Sequence, residues 1–133
     1  MKWNTLIVED DRILQVLIKK MLCSIEWKSP LLSFENGLLA LNYLKDSYRD
    51  DCNFIVFLDI NMPVMNGSEF LDRIKGLITK DNVYVYVLSS SIDTNDHKKA
   101  LANRFVMEYI PKPISISQLQ SIKEFVNDRI EAE

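Results

Sequence analysis

An unbroken apolar run, Phe54-Ile55-Val56-Phe57-Leu58, leads straight into Asp59 and then into Ile60-Asn61-Met62-Pro63. A strand that is apolar at every position has to be covered on both faces, which is the condition of a parallel sheet flanked by helices. Ending such a strand on a carboxylate and a Pro-containing turn places that carboxylate at the C-terminal edge of the sheet, where open α/β sheets bind and react with ligands. A second apolar run, Leu6-Ile7-Val8, ends in the same manner on Glu9-Asp10-Asp11.

The rest of the chain alternates around these two strands. Ile13, Leu14, Leu17, Ile18, Met21 and Leu22 recur at helical spacing, so residues from about Asp11 to Ser24 read as an amphipathic helix with Asp11 as its cap. Leu31 to Phe34 forms a short strand after Pro30, and Asn36-Gly37 precedes a helix marked by Leu38, Ala40, Leu41 and Leu44. Asn66 followed three residues later by Glu69 is a capping-box signature. Phe70, Leu71, Ile74, Leu77 and Ile78 give the helix behind it a buried stripe. Val83 to Leu88 is β-branched and aromatic, hence a strand. A helix from about Asn95 to Asn103, a strand from Phe105 to Ile110, the turn Pro111-Lys112-Pro113 and a closing helix with Ile116, Leu119, Ile122 and Val126 complete the pattern. Five strands alternating with five helices predict a single α/β domain over residues 1–133. Its architecture is (βα)5, a doubly wound parallel sheet with helices on both faces and right-handed crossovers.

Composition narrows the functions such a domain can carry. With 16 basic and 19 acidic residues the net charge is −3, so nothing argues for direct binding of nucleic acid. No apolar stretch approaches the ~20 residues needed to span a bilayer. Met1 leads almost at once into a strand-like segment, without the basic and apolar regions of a signal peptide. Cys23 and Cys52 lack metal-ligand spacing and read as small buried or half-buried residues in a reduced, cytoplasmic protein. The expectation is a single domain without an output domain, a piece of a longer regulator being the alternative, and His97, the only histidine, reads as a surface residue.

In a parallel sheet all strand C-termini share one edge. That edge gathers Glu9 and Asp10 from the first strand, Asp59 from the third, Ser89 from the fourth and Lys112 beyond the fifth. Carboxylates held together raise one another's pKa unless a cation offsets them. Mg²⁺ suits such an all-oxygen set because one or two carboxylates plus a phosphate suffice to hold it. A carboxylate can attack phosphorus to form an aspartyl phosphate, and the oxygens of the transferred group then need metal, ammonium and hydroxyl partners. Lys112 and Ser89 supply the last two.

Four segments in this order carry a family resemblance: Leu6-Ile7-Val8-Glu9-Asp10-Asp11, Phe57-Leu58-Asp59-Ile60-Asn61-Met62-Pro63-Val64-Met65-Asn66-Gly67, Val87-Leu88-Ser89-Ser90 and Tyr109-Ile110-Pro111-Lys112-Pro113. Over essentially its whole length the chain resembles the receiver domain of two-component response regulators. The resemblance implies a flavodoxin-like strand order 2-1-3-4-5, which spacing alone does not give, and a cis Lys112–Pro113 bond. It implies that Asp59 is the phosphoacceptor, and that Asp10, Asp59, the Asn61 backbone carbonyl and, through water, Glu9 hold Mg²⁺. Ser89 would be the switch hydroxyl, Lys112 the partner of a phosphoryl oxygen, and Tyr109 the switch aromatic. The implied donor is a sensor histidine kinase or phosphotransfer protein, and the implied output is a downstream protein that reads the face of the fourth helix, fifth strand and fifth helix. Two copies could also pair through that face. Such a domain catalyses only its own phosphorylation and dephosphorylation.

Two departures stand out. Where similar domains often have Gly-Ala before the fifth strand, this chain has Asn103-Arg104-Phe105, and its switch hydroxyl is Ser instead of Thr. Asn61 and Ser91, two residues beyond Asp59 and Ser89, occupy positions that in similar proteins tune loss of the phosphoryl group. Two other functions fit parts of the pattern. A phosphatase or phosphotransferase of the haloacid dehalogenase kind would usually carry a second Asp at the place of Asn61. A pseudo-receiver would bind proteins without switching, and would have no need of the full set Glu9, Asp10, Asp59 and Lys112.

Overall fold

The structure is a computed structural model and describes residues 2–49, 51–90 and 94–132. The elements run β1 (Lys2–Val8), α1 (Arg12–Ser24), β2 (Leu31–Phe34), α2 (Gly37–Ser47), β3 (Cys52–Asp59), α3 (Gly67–Leu77), β4 (Val83–Ser89), α4 (Thr94–Leu101), β5 (Val106–Pro111) and α5 (Ile116–Ala132). The strands pair in parallel in the order β2-β1-β3-β4-β5. The expected alternation and strand order are both present, and the order reverses between β1 and β3, where a doubly wound sheet opens a crevice.

Each face of the sheet has its own core, as the pleat requires, because successive side chains point to opposite sides. Leu6, Val8, Phe54, Val56, Leu58, Val83, Val85 and Val87 meet α2 and α3 on one face, with Ala100 of α4. Ile7, Ile55, Phe57, Tyr84, Tyr86 and Leu88 meet Ile18 and Leu22 of α1 and Leu119, Ile122 and Val126 of α5 on the other. All eight residues of β3 are buried, so this strand is sandwiched as its sequence demands. Burial of each such large side chain stabilises the fold by about 1.5–3 kcal/mol, which is what fixes the height at which Asp59 leaves the sheet.

The helix starts follow local chemistry. Asp11 accepts from the Ile13 and Leu14 amides, and Asn66 and Glu69 form the full reciprocal capping box. Several expectations need correcting. Helical spacing assigned Ile13 and Leu17 to the buried stripe of α1, yet they are 79% and 45% exposed, beside Val16 at 51%. Leu38 and Ile116 likewise face solvent. The apolar stripe of α1 is wider than the strip of sheet it covers. Cys23 is exposed, not buried or half-buried, because it follows Leu22 and so lies about 100° around the helix from the core-facing side; Cys52 is buried at the start of β3.

Candidate functional site

Register brings the site together. Val8 pairs with Leu58, so Glu9 and Asp59 are the next residues out of two adjacent strands. Leu88 pairs with Asp59, and Ser89 pairs with Pro111, so Ser89 and Lys112 complete the same edge. The loop carrying Lys112 is held down by its amide, which donates to the Ser89 carbonyl at 2.9 Å, and the Lys112–Pro113 bond is cis as the resemblance implied. The turn after Asp59 is drawn in by Gly67, whose N–H donates to the Ile60 carbonyl at 2.9 Å. Gln15 of α1 donates its side-chain amide to the Glu9 carbonyl, tying that helix to the end of β1.

Glu9 and Asp59 are only 2% and 3% exposed, while Asp10 is exposed at the mouth. One carboxylate oxygen from each of Glu9, Asp10 and Asp59 lies within 4.8 Å of the others. The Lys112 ammonium donates to Glu9 Oε1 at 2.8 Å and sits 3.2 Å from Asp59 Oδ1. The Asn61 N–H donates to Asp59 Oδ1 at 3.2 Å. Burial, reinforced by hydrogen bonding to the neighbouring Asp59, pushes the Glu9 carboxyl up to about 8 against the pull of the Lys112 ammonium. Burial opposes the charge of Lys112, but its hydrogen bond to Glu9 and the charges of Asp59 and Glu9 outweigh it and hold the ammonium above its usual range. One ammonium cannot offset three crowded carboxyls, and this adds to the burial that favours the neutral form of Glu9. A hard divalent cation answers the same imbalance with an all-oxygen donor set, and the residues therefore fit Mg²⁺.

Ser89, at 1% exposure, is buried at the end of β4, and Ser90 is exposed, so the strand end distinguishes between the two serines. Tyr109 packs against the core on the α3 side, two residues before the residue that pairs with Ser89. His97 is at the surface, as read from the sequence, but its ring stacks on Tyr109. Ser91 lies outside the described residues. Sequence reasoning did not assign roles to Gly67 or Asn103. The Asn103 side chain is buried, donates to the Leu71 carbonyl at 3.0 Å and accepts from the Phe105 amide at 2.9 Å. This Asn-centred turn replaces the Gly-Ala of similar domains, and it delays the start of β5 to Val106.

Fold and site together define a doubly wound α/β domain with an acid-and-lysine hollow at its topological switch point. Residues 5–124 match the response regulator receiver domain, and the chain belongs to that family. A two-component response regulator from Cytophaga hutchinsonii is 30% identical and superposes with a TM-score of 0.84 over 96% of this chain and 99% of that one. A response regulatory protein of Staphylococcus epidermidis is 28% identical over 132 residues, covering 96% of this chain and 48% of its own length. The chain thus spans about half the length of the curated relatives it matches first. The receiver domain of a Saccharomyces cerevisiae response regulator, solved in complex with a histidine phosphotransfer signaling protein, is 26% identical with a TM-score of 0.73, over 90% of this chain and 84% of that one. Among the described residues no helix is long and apolar enough to cross a membrane.

Proposed function

We propose that Asp59 takes a phosphoryl group from a phosphohistidine on a sensor kinase or phosphotransfer protein, with Mg²⁺ bound at the site, and that the modification changes a protein-binding face. The observation that carries this reading is the meeting of Glu9, Asp10 and Asp59 oxygens within 4.8 Å, with the Lys112 ammonium 3.2 Å from Asp59. Asp10 and Asp59, the Asn61 carbonyl and, through water, Glu9 would hold the cation. When bound it contributes positive charge that offsets the carboxylates and the phosphoryl oxygens.

The chain's own residues do the rest. The Asn61 amide holds Asp59 Oδ1 in place. An Asp59 oxygen forms the new O–P bond as the P–N bond to the donor imidazole breaks, and the electron pair of that bond stays on the imidazole nitrogen. Lys112, already beside Asp59, exchanges its contact with Glu9 for one with a phosphoryl oxygen, and the Ser89 hydroxyl donates to another. Glu9 and Asp59 are almost fully buried, and the lower local dielectric strengthens these interactions. The protein promotes its own modification and turns over no separate metabolite.

The donor reaches Asp59 across an apolar rim. Ile13, Val16 and Leu17 are exposed on α1, beside a groove of about 220 Å³ formed by Leu14, Ile18, Met21, Pro113 and Ile114 and reaching Glu9 and Lys112. A protein donor covering this rim places its phosphohistidine over the site. The signal leaves by the face of α4, β5 and α5, read by a downstream protein or a second copy of the chain. Incubation with phosphoramidate and Mg²⁺ followed by intact-mass measurement tests the central step. A single phosphoryl adduct is expected on the wild type and none on Asp59→Asn; an unmodified wild type overturns the proposal.

A further inference from the structure

Tyr109 combines two features that do not sit easily together. Its ring packs against the core, yet its buried hydroxyl has no hydrogen-bond partner among the described residues. Leaving a buried hydroxyl unpaired carries the full desolvation penalty of the group, so the hydroxyl does not hold the ring in place. What holds it is contact with the ring itself, from the core and from His97. The two rings stack with centroids 4.6 Å apart and planes inclined by 18°.

His97 sits on α4, one helical turn before Ala100, which is buried against the sheet. Tyr109 lies on β5, and Pro111, two residues on and so on the same face of that strand, pairs with Ser89. The stack therefore joins α4 to the strand that ends beside the switch hydroxyl. We propose, on the phosphoacceptor reading above, that His97 is a positioning residue: its ring clamps Tyr109 in its inward, core-packed pose, and that pose is coupled through β5 and Ser89 to occupancy of Asp59. By reciprocity, a contact that favours the inward pose also favours whatever ligand favours that pose, so loss of the clamp weakens binding at the site though His97 touches none of it.

The test uses beryllofluoride with Mg²⁺, which mimics an aspartyl phosphate and binds reversibly. Affinity is measured by titration, and the Tyr109 ring is followed by NMR, its resonances assigned with Tyr109→Phe. In His97→Ala the Tyr109 resonances are expected to shift and beryllofluoride affinity to fall roughly two- to tenfold, the range of an aromatic stacking contact. His97→Phe, which can still stack, restores both, while the melting temperatures of all three forms stay within a few degrees of one another. Tyr109 resonances in His97→Ala that overlay the wild type overturn the clamp. So do shifted resonances without a change in affinity, and so does failure of His97→Phe to restore it. Beryllofluoride failing to bind the wild type at all removes the phosphoacceptor reading and the clamp with it, an outcome distinct from equal binding by wild type and His97→Ala.

Discussion

Gly67 packs directly against the carbonyl of Asp59: a Cβ at this position would lie 2.6 Å from that oxygen and 2.8 Å from the Ile60 Cα. Both are backbone atoms, so neither can rotate aside. The first turn of α3 and the end of β3 are thus fitted to each other through the absence of one methyl group.

Gly67→Ala is accordingly expected to destabilise the protein by about 1–3 kcal/mol, as overpacking does elsewhere. Relief requires Asp59 and Ile60 to move, so phosphorylation should slow as well, out of proportion to the stability lost. Urea denaturation together with phosphoramidate labelling rates measures both. Gly76, on the same helix with open space around its Cα, is the control: Gly76→Ala should be neutral or stabilising.

Glu9 gives the site a pH signature. Its carboxyl moves from 4.5 to about 8 on folding because burial and the nearby acids disfavour its charge. A raised folded pKa means the native state binds the extra proton between those values. The stability contributed by protonated Glu9 is therefore complete below pH 4.5 and is lost as pH climbs through about 8, with a slope approaching 1.4 kcal/mol per pH unit inside the window. In metal-free buffer, Glu9→Gln should gain on the wild type progressively from pH 5 to pH 8 by urea denaturation. A difference constant across that range would contradict the assignment. Binding of Mg²⁺ at pH 7 should also release close to one proton, measurable by calorimetry in buffers of different ionisation enthalpy.

Much of this arrangement is legible in the sequence, for reasons that can be named. The apolar, β-branched and aromatic run before Asp59 is what a strand buried on both faces shows, and acids at two strand ends of a parallel sheet have one edge to occupy. What spacing alone cannot supply is lateral order. Periodicity says that β1 and β3 are buried, but not that Val8 pairs with Leu58. The strand order came from the resemblance, and the register follows from packing of all five strands at once.

The exposed apolar residues mark a different limit. Helical spacing reports which residues share a face, and Ile13 and Leu17 do share one with Ile18 and Met21. It does not report how much of that face the sheet covers. Turns built by side chains are harder still. Asn103 reads as one polar residue among others until its carboxamide is seen bonded to Leu71 on α3 and to Phe105 at the threshold of β5.

Those two bonds make Asn103→Ala a sharp test of the turn. The substitution strips the buried Phe105 amide of its partner, worth about 1–3 kcal/mol when left unsatisfied, and removes a second bond to the Leu71 carbonyl, which keeps its partner within α3. The expected loss is about 1–3 kcal/mol by chemical denaturation. Arg104, alongside it, pairs with Asp81, donates to the Ile78 carbonyl at 2.7 Å and lies over the Phe105 ring, so Arg104→Ala should cost about 1–2 kcal/mol.

The rim of α1 separates chemistry from recognition. Ile13 and Leu17 are exposed and lie outside the cluster of Glu9, Asp59 and Lys112, so charging them should change stability by no more than about 0.5 kcal/mol. They nonetheless form an uncovered apolar shoulder beside the groove that leads to the site, and a protein donor has to cross that shoulder while phosphoramidate does not. The double variant Ile13→Glu/Leu17→Glu is expected to accept phosphate from phosphoramidate at the wild-type rate. Transfer from a phosphorylated cognate kinase or phosphotransfer protein should fall tenfold or more, since truncating or charging a central apolar contact costs on the order of 2 kcal/mol. Equal losses with both donors would place these residues in the chemistry of the site; equal retention with both would move the donor's footprint away from α1.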